Sequence, residues 1–201
     1  MHASSYKNMD NFVDKYLSMF ENKNLEIIDI GSQDVNGSYK PLFSNQNWHY
    51  CGCDIAVGKN VDIVLNNVYD WSNIESSSFD VVISGQAFEH IEYFWITIME
   101  IARILKEGGL CCIIAPSGGV EHGYPVDCWR FYPSGFKALA RYSGLELLEV
   151  YTQWNEQLYP DYDPAWKDTV LICQKPIMTM EQKQKFNLKN KISKSILTLN
   201  I

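Results

Sequence analysis

The strongest constraint on the fold of this chain is an alternation. Between residues 25 and 175, short runs dense in aliphatic and β-branched residues take turns with stretches whose apolar positions recur at helical spacing. The runs at 25–30, 48–54, 61–65, 79–84, 110–115, 145–151 and 169–173 read as strands. Helical spacing appears over 7–21 (Met9, Phe12, Leu17, Phe20) and over 91–107 (Ile91, Phe94, Ile98, Ile101, Leu105), the latter stopped by Lys106-Glu107-Gly108-Gly109. A further helix is expected over 133–143, opened by Pro133 and closed by Gly144, and a helix start within 31–44. This pattern predicts an α/β fold, a three-layer sandwich with a mostly parallel sheet covered on both faces. Ligands of such sheets gather beyond the carboxyl ends of the strands, at the switch point. Functional residues are therefore expected after Ile30, after Cys53, near Val68, after Ser84 and after Ala115.

A chain of 201 residues is long enough for one self-sufficient core. Residues 1–175 are read as that domain and 176–201 as a tail, where five Lys stand against one Glu. The formal charge of −7 argues against a nucleic-acid partner, which needs a phosphate-neutralising surface. No apolar run approaches the roughly 20 residues that span a bilayer. The first residues lack the basic-then-apolar order of a signal peptide, so a cytoplasmic location is expected. The six cysteines contain no C-x-x-C pair and are read as reduced core thiols.

The strand-end residues suggest a nucleoside ligand. Asp29-Ile30-Gly31-Ser32-Gln33-Asp34 is a strand running into a glycine turn, with Gly37 six residues on. Gln33 stands where a dinucleotide fingerprint has its middle glycine, and Asp34 would repel a diphosphate. Asp54, ending the second strand, can accept both hydroxyls of a ribose. Asn67 and Val68 follow the third strand, where an amide and a backbone N–H can read an adenine edge. Gly85 and Gln86 follow the fourth.

In this order, the residues from Leu25 to Ala115 resemble a class I S-adenosylmethionine-dependent methyltransferase. The match lies in Asp29-Ile-Gly-Ser32 with Gly37, Asp54, Asn67-Val68, the strand at 79–84, Phe88-Glu-His90 and Leu105-Lys-Glu-Gly-Gly-Leu110. The resemblance implies a Rossmann-like seven-stranded sheet with its last strand antiparallel, and S-adenosylmethionine as cofactor. It implies Gly31 and Gly37 flanking the methionine moiety, with Asp29, Ser32 and Gln33 also at the cofactor, Asp54 on the ribose, Asn67 and Val68 on the adenine, and Gly85–Gln86 at the sulfonium; Gln33 departs from the family pattern, which has glycine there. The helix within 1–24, with Phe12 and Tyr16, is expected to act as a lid.

The acceptor is addressed by the stretch 115–133, which follows the fifth strand and holds Glu121, His122, Asp127, Arg130 and the aromatics Tyr124, Trp129, Phe131 and Tyr132. A neutral His122 backed by Asp127 is suited to take a hydroxyl proton; a salt bridge from Asp127 to Arg130 is the simpler alternative. His90 is a second candidate base, and Glu89–His90 can alternatively cap the following helix. The string His122-Gly-Tyr-Pro-Val-Asp-Cys-Trp-Arg-Phe-Tyr-Pro133 resembles a methyltransferase subgroup found with glycan and polysaccharide biosynthesis. It implies an O-methyltransferase acting on a sugar hydroxyl of a glycan or nucleotide-sugar. The alternatives are a phenolic or lipid-like acceptor, or a cofactor-binding module without catalysis that regulates a partner. A homodimer is compatible with either. Because Ser84 and Gln86 replace the strand-end aspartate of metal-dependent relatives, no metal is expected.

Overall fold

The computed structural model describes residues 2–123, 125–157 and 163–198. One sheet runs in the order β3-β2-β1-β4-β5-β7-β6. β1 (Leu25–Ile30), β2 (Trp48–Asp54), β3 (Ile63–Val64), β4 (Phe79–Gly85) and β5 (Leu105–Pro116) are parallel neighbours. β7 (Asp168–Gln174) enters antiparallel between β5 and β6 (Glu146–Thr152). The expected sheet, with its antiparallel last strand, is thus the observed one.

The apolar density of the central strands has a simple cause: both of their faces are covered. Ile28, Ile30, Val82, Cys111 and Ile113 face one core, where Ile98 of α2 (Phe94–Ile104) and Phe136 of α3 (Pro133–Ser143) are fully buried. Leu25, Ile27, Val81, Ile83 and Ile114 face the other, against Met9 and Phe12 of α1 (Ala3–Phe12). Each such large side chain contributes about 1.5–3 kcal/mol by leaving water. Cys51, Cys53, Cys111, Cys112 and Cys173 are buried free thiols, as expected of small core hydrophobes; Cys128 is the exception, an exposed free thiol on the loop after β5.

α3 matches its expected span because its signals are local. Pro133 opens the first turn, and Gly144 closes it at φ +75° with its N–H returned to Arg141. Other boundaries moved. No α-helix forms within 31–44: Gly37 turns at φ +112°, Ser38 Oγ accepts the Lys40 N–H, and Lys40–Phe43 makes only a short 3₁₀ turn around Pro41. α2 runs over Phe94–Ile104 and not 91–107, because Leu105 already pairs with Phe79 and the Lys106–Gly109 stretch is a strand irregularity, with Gly108 at φ +80°. The expected helix over 7–21 begins at Ala3 and breaks after Phe12 into a π turn and a 3₁₀ turn.

Beyond residue 175 the chain forms α4 (Met180–Ser195), started by a reciprocal capping box between Thr179 and Gln182. α4 is bound to the sheet layer through Glu100 of α2, which is fully buried. Glu100 accepts from Asn190 Nδ2 at 2.9 Å, pairs with Lys194 at 2.9 Å and is held by Arg103. Burial pushes the Glu100 carboxyl up, but these donors outweigh it and leave its pKa below the ordinary value. Among the described residues no helix is long and apolar enough to cross a membrane.

Candidate functional site

The carboxyl ends of β2, β1 and β4 lie side by side. Ile30 is level with Cys53, and Asp29 with Ile83. The chain leaving β1 folds back at once: Gly31 and Ser32 donate their N–H groups to Cys53 O at 2.8 and 3.1 Å, and Gln33 N–H donates to Asp54 Oδ2 at 3.0 Å. Gly31 turns at φ +81°, and a Cβ there would lie 2.6 Å from Ala87 Cβ, so only glycine lets β1 and the β4 exit come this close. Gln33, where the family pattern has glycine, lays its side chain over Gly58 and leaves the turn intact. Asp34 pairs with Lys59 at 2.6 Å and accepts from the Gly37 N–H at 2.8 Å, closing the loop.

Asp54 sits half-buried at the end of β2, its other oxygen accepting from Ile55 N–H at 2.7 Å. Oδ1 also takes a longer bond from Ala56 N–H at 3.4 Å, while Oδ2, with one donor, keeps a lone pair for a further donor such as a ribose hydroxyl. Asn67 caps its own turn by accepting from Tyr69 N–H, and Val68 is half-buried against the core, its carbonyl taken by Trp71 Nε1. Asp29 is buried and points to the α1 side, where Tyr50 donates to it at 2.6 Å; Asn60 in turn holds the Tyr50 oxygen. Burial pushes the Asp29 carboxyl up to about 7, against the opposing Tyr50 hydrogen bond.

After β4 the backbone is strained: Gln86 adopts φ +59° without being glycine. Its Nε2 donates to Asp168 at 2.9 Å and to Ser5 Oγ at 3.2 Å, while its Oε1 is buried with no partner among the described residues. Asp168 is fully buried and also accepts from Ser4 Oγ at 2.7 Å. The start of α1 therefore reaches the strand ends through His2, Ser4 and Ser5, with His2 stacked on Trp166. Phe12 and Tyr16, the expected lid residues, do not: Phe12 is sealed in the core and Tyr16 bonds Glu149. Tyr39 fills the space over Gly85, where a Cβ would lie 2.0 Å from its hydroxyl.

The glycine cradle at Gly31, the partly satisfied Asp54 carboxylate and the orphaned Gln86 amide fit a nucleoside with a polar side arm. A separate cavity of about 540 Å³ lies on the flank of β2 among Asp34, Phe43, Trp48 and Tyr50, away from the ends of β4 and β5.

Three residues beyond Gln86, a second group assembles. The loop 117–132 is tied down on the turn at Phe88–His90: Cys128 N–H and Trp129 N–H donate to Glu89 O at 2.7 and 3.2 Å, and Trp129 Nε1 donates to Glu92 O at 3.0 Å. This brings His122 beside His90, ring centres 5.0 Å apart. His90 Nδ1 lies 2.5 Å from Val126 O; His122 Nδ1 lies 3.1 Å from Asp127 Oδ2. Asp127 is also gripped by Arg130 at 2.6 and 2.8 Å, the salt bridge that the sequence offered as the simpler alternative. The Arg130 guanidinium holds the Asp127 carboxyl far below its ordinary range, and burial lowers the pKa of His90. Burial likewise pushes the Glu89 carboxyl up to about 8. Glu89 does not cap α2: neither carboxylate oxygen has a hydrogen-bond partner among the described residues, and the nearest ring nitrogen, His90 Nε2, is 3.6 Å away. Tyr132 stacks on Trp154 at 5.9 Å, and both are about half exposed. Tyr124, expected near the acceptor, and residues 158–162 lie outside the described residues. Sequence reasoning passed over Glu89, Tyr39 and Trp166 as site residues; the glutamate beside a histidine after β4 was visible, but its burial was not.

A methyltransferase domain family model matches residues 29–113. No curated protein sequence matches the chain. Among solved structures, the chain is similar to a 1,6-didemethyltoxoflavin N1-methyltransferase from Burkholderia thailandensis, determined with S-adenosylhomocysteine bound. The two share 12% identity over 87% of this chain and 80% of that one, with a TM-score of 0.66. It is similar also to an S-adenosylmethionine-dependent methyltransferase from Methanosarcina mazei, at 16% identity, 80% and 98% coverage and TM-score 0.60. The [4+2]-cyclase SpnF shares the fold at 13% identity, 86% and 81% coverage and TM-score 0.62. The fold is the Rossmann-like one of class I methyltransferases. The domain match and the neighbours together support an S-adenosylmethionine-dependent methyltransferase. The cyclase is a reminder that the fold alone does not set the reaction.

Proposed function

We propose that the chain transfers a methyl group from S-adenosylmethionine to a hydroxyl of a sugar, in a glycan or a nucleotide-sugar, by in-line displacement. The observation that carries this reading is the imidazole pair His90 and His122, with Asp127 behind it, assembled just beyond the β4 end that the cofactor loops share. S-adenosylmethionine, when bound, supplies an electrophilic methyl group on sulfur. Asp54 holds the ribose, Asn67 and Val68 the adenine, and Asp29, Gly31, Ser32, Gln33, Gly37, Gly85 and Gln86 shape the methionine end.

The protein's remaining tasks are to align the acceptor and remove its proton. The Val120 carbonyl, 3.4 Å from Nδ1, favours the His122 tautomer with its lone pair on Nε2, and the Asp127 carboxylate, 3.1 Å away, stabilises the imidazolium that forms. Held ionised by Arg130, Asp127 does not itself take the proton. His90, kept neutral by burial, is the second base. The exposed faces of the Tyr132–Trp154 stack offer a platform for the apolar face of a sugar ring. The same platform suits a flat phenol, which is the second reading.

Isothermal titration with S-adenosylhomocysteine tests the foundation. One-to-one binding is expected, weakened at least ~10-fold in Asp54→Ala through loss of charge-assisted hydrogen bonds. With sugar acceptors, His122→Ala is expected to slow turnover ~100-fold or more while leaving that binding intact. Absence of binding at millimolar ligand overturns the methyltransferase reading; phenols turning over where sugars do not replaces the acceptor.

A further inference from the structure

Burying a carboxylate without a hydrogen bond is costly, and Glu89 is fully buried with both oxygens unpartnered among the described residues. Its ligand oxygen and one ring nitrogen each of His90 and His122 lie within 4.8 Å of one another. We propose that Glu89, His90 and His122 form a binding site for a divalent first-row transition-metal cation.

The second layer of contacts is what such a site requires. A metal-bound histidine usually directs its other ring nitrogen at a carbonyl or carboxylate, which fixes the tautomer and orientation. His90 Nδ1 faces the Val126 carbonyl at 2.5 Å, and His122 Nδ1 faces the Val120 carbonyl at 3.4 Å with the Asp127 carboxylate 3.1 Å away. Both rings therefore keep Nε2 for a ligand. Glu89 and His90 Nε2, at 3.6 Å, already have the spacing of two donors each about 2.1 Å from one ion. His122, on the irregular loop 117–132, needs to close by about an ångström to complete the set. Two imidazoles and one carboxylate favour Zn²⁺, Fe²⁺, Co²⁺ or Mn²⁺ over Mg²⁺, and leave coordination positions open. With the ion bound, both Nε2 atoms are ligands and not bases; an acceptor hydroxyl entering an open position would be acidified by the ion and release its proton to bulk water. Sequence reading looked for a strand-end aspartate and found Ser84 and Gln86; the donors come instead from the next turn and from a loop 32 residues away.

The site stands on donor geometry and does not rest on the methyl-transfer reading, because its test contains no S-adenosyl compound. The chelator-treated full chain is titrated with Zn²⁺ by calorimetry and with Co²⁺ by visible absorption. One equivalent is expected to bind, with Co²⁺ d–d bands of a nitrogen-and-oxygen site. Glu89→Gln and His122→Ala should each weaken binding by ~100-fold or more, and Asp127→Asn by ~10–100-fold, the usual cost of a lost outer partner. Thermal melts confirm that each variant is folded; His122→Ala, on an exposed loop, keeps the test valid if Glu89→Gln does not fold. No binding by the wild-type chain at about 1 mM Zn²⁺, or folded variants that bind as wild type does, overturns the proposal.

Discussion

Asp29 shows how one buried carboxyl links the sheet to solution conditions. It titrates near 7 in the folded chain, chiefly because burial disfavours its charge, and near its ordinary 3.8 when unfolded. Between those values the folded chain holds a proton that the unfolded chain has lost. Stability therefore falls as pH rises through this window, by up to about 1.4 kcal/mol per pH unit. Asp29→Asn should flatten that slope, read from urea midpoints at about pH 5 and pH 7.5; an unchanged slope would reassign it to another group. Gly85 makes a second residue-scale case. A methyl group there collides with the Tyr39 hydroxyl, itself locked between Ser5 and the core, so Gly85→Ala is expected to cost about 1–3 kcal/mol in denaturant melts. Of the site, Gly31 and Asp54 were legible because strand ends and turns are written locally. The pairing of Glu89 and His90 with His122 was not, since it depends on backbone bonds from Cys128 and Trp129 to the turn before α2.

At the scale of elements, signals confined to a few residues were read correctly and those needing a tertiary partner were not. α3 carries its own start and stop. The stretch 31–44 forms no α-helix: Phe43 is buried against Trp48 and Tyr50 at the end of a single 3₁₀ turn. α4 is the reverse case: a Lys-rich sequence with little amphipathic pattern, held by polar contacts to Glu100. Asn190→Ala removes a buried hydrogen bond to a charged group and should cost about 1.5–3 kcal/mol. Deleting residues 176–201 also removes Lys194 and should lower the denaturation midpoint further, whereas an unchanged midpoint would make the segment an independent tail.

For the whole molecule, the sheet is a rigid centre with function at one rim. β5 and β7 are nearly all buried on both faces, whereas the described residues of 117–132 form no helix or strand. Amide exchange should be slowest at 110–115 and 170–173 and fast across 119–121. Adding S-adenosylhomocysteine should slow exchange at 31–37 and 85–90; protection at the β2 flank cavity instead would relocate the cofactor.

The interposed last strand also sets an order of events as the chain is made. β5 has only its β4 side satisfied until Asp168–Gln174 exists, and β6, made earlier, has no sheet to join without it. More than fifty residues of synthesis separate β5 from the strand that covers its open edge. Ile113 and Ile114 thus sit for that interval on a strand with one open edge, the kind of edge that invites pairing with another chain.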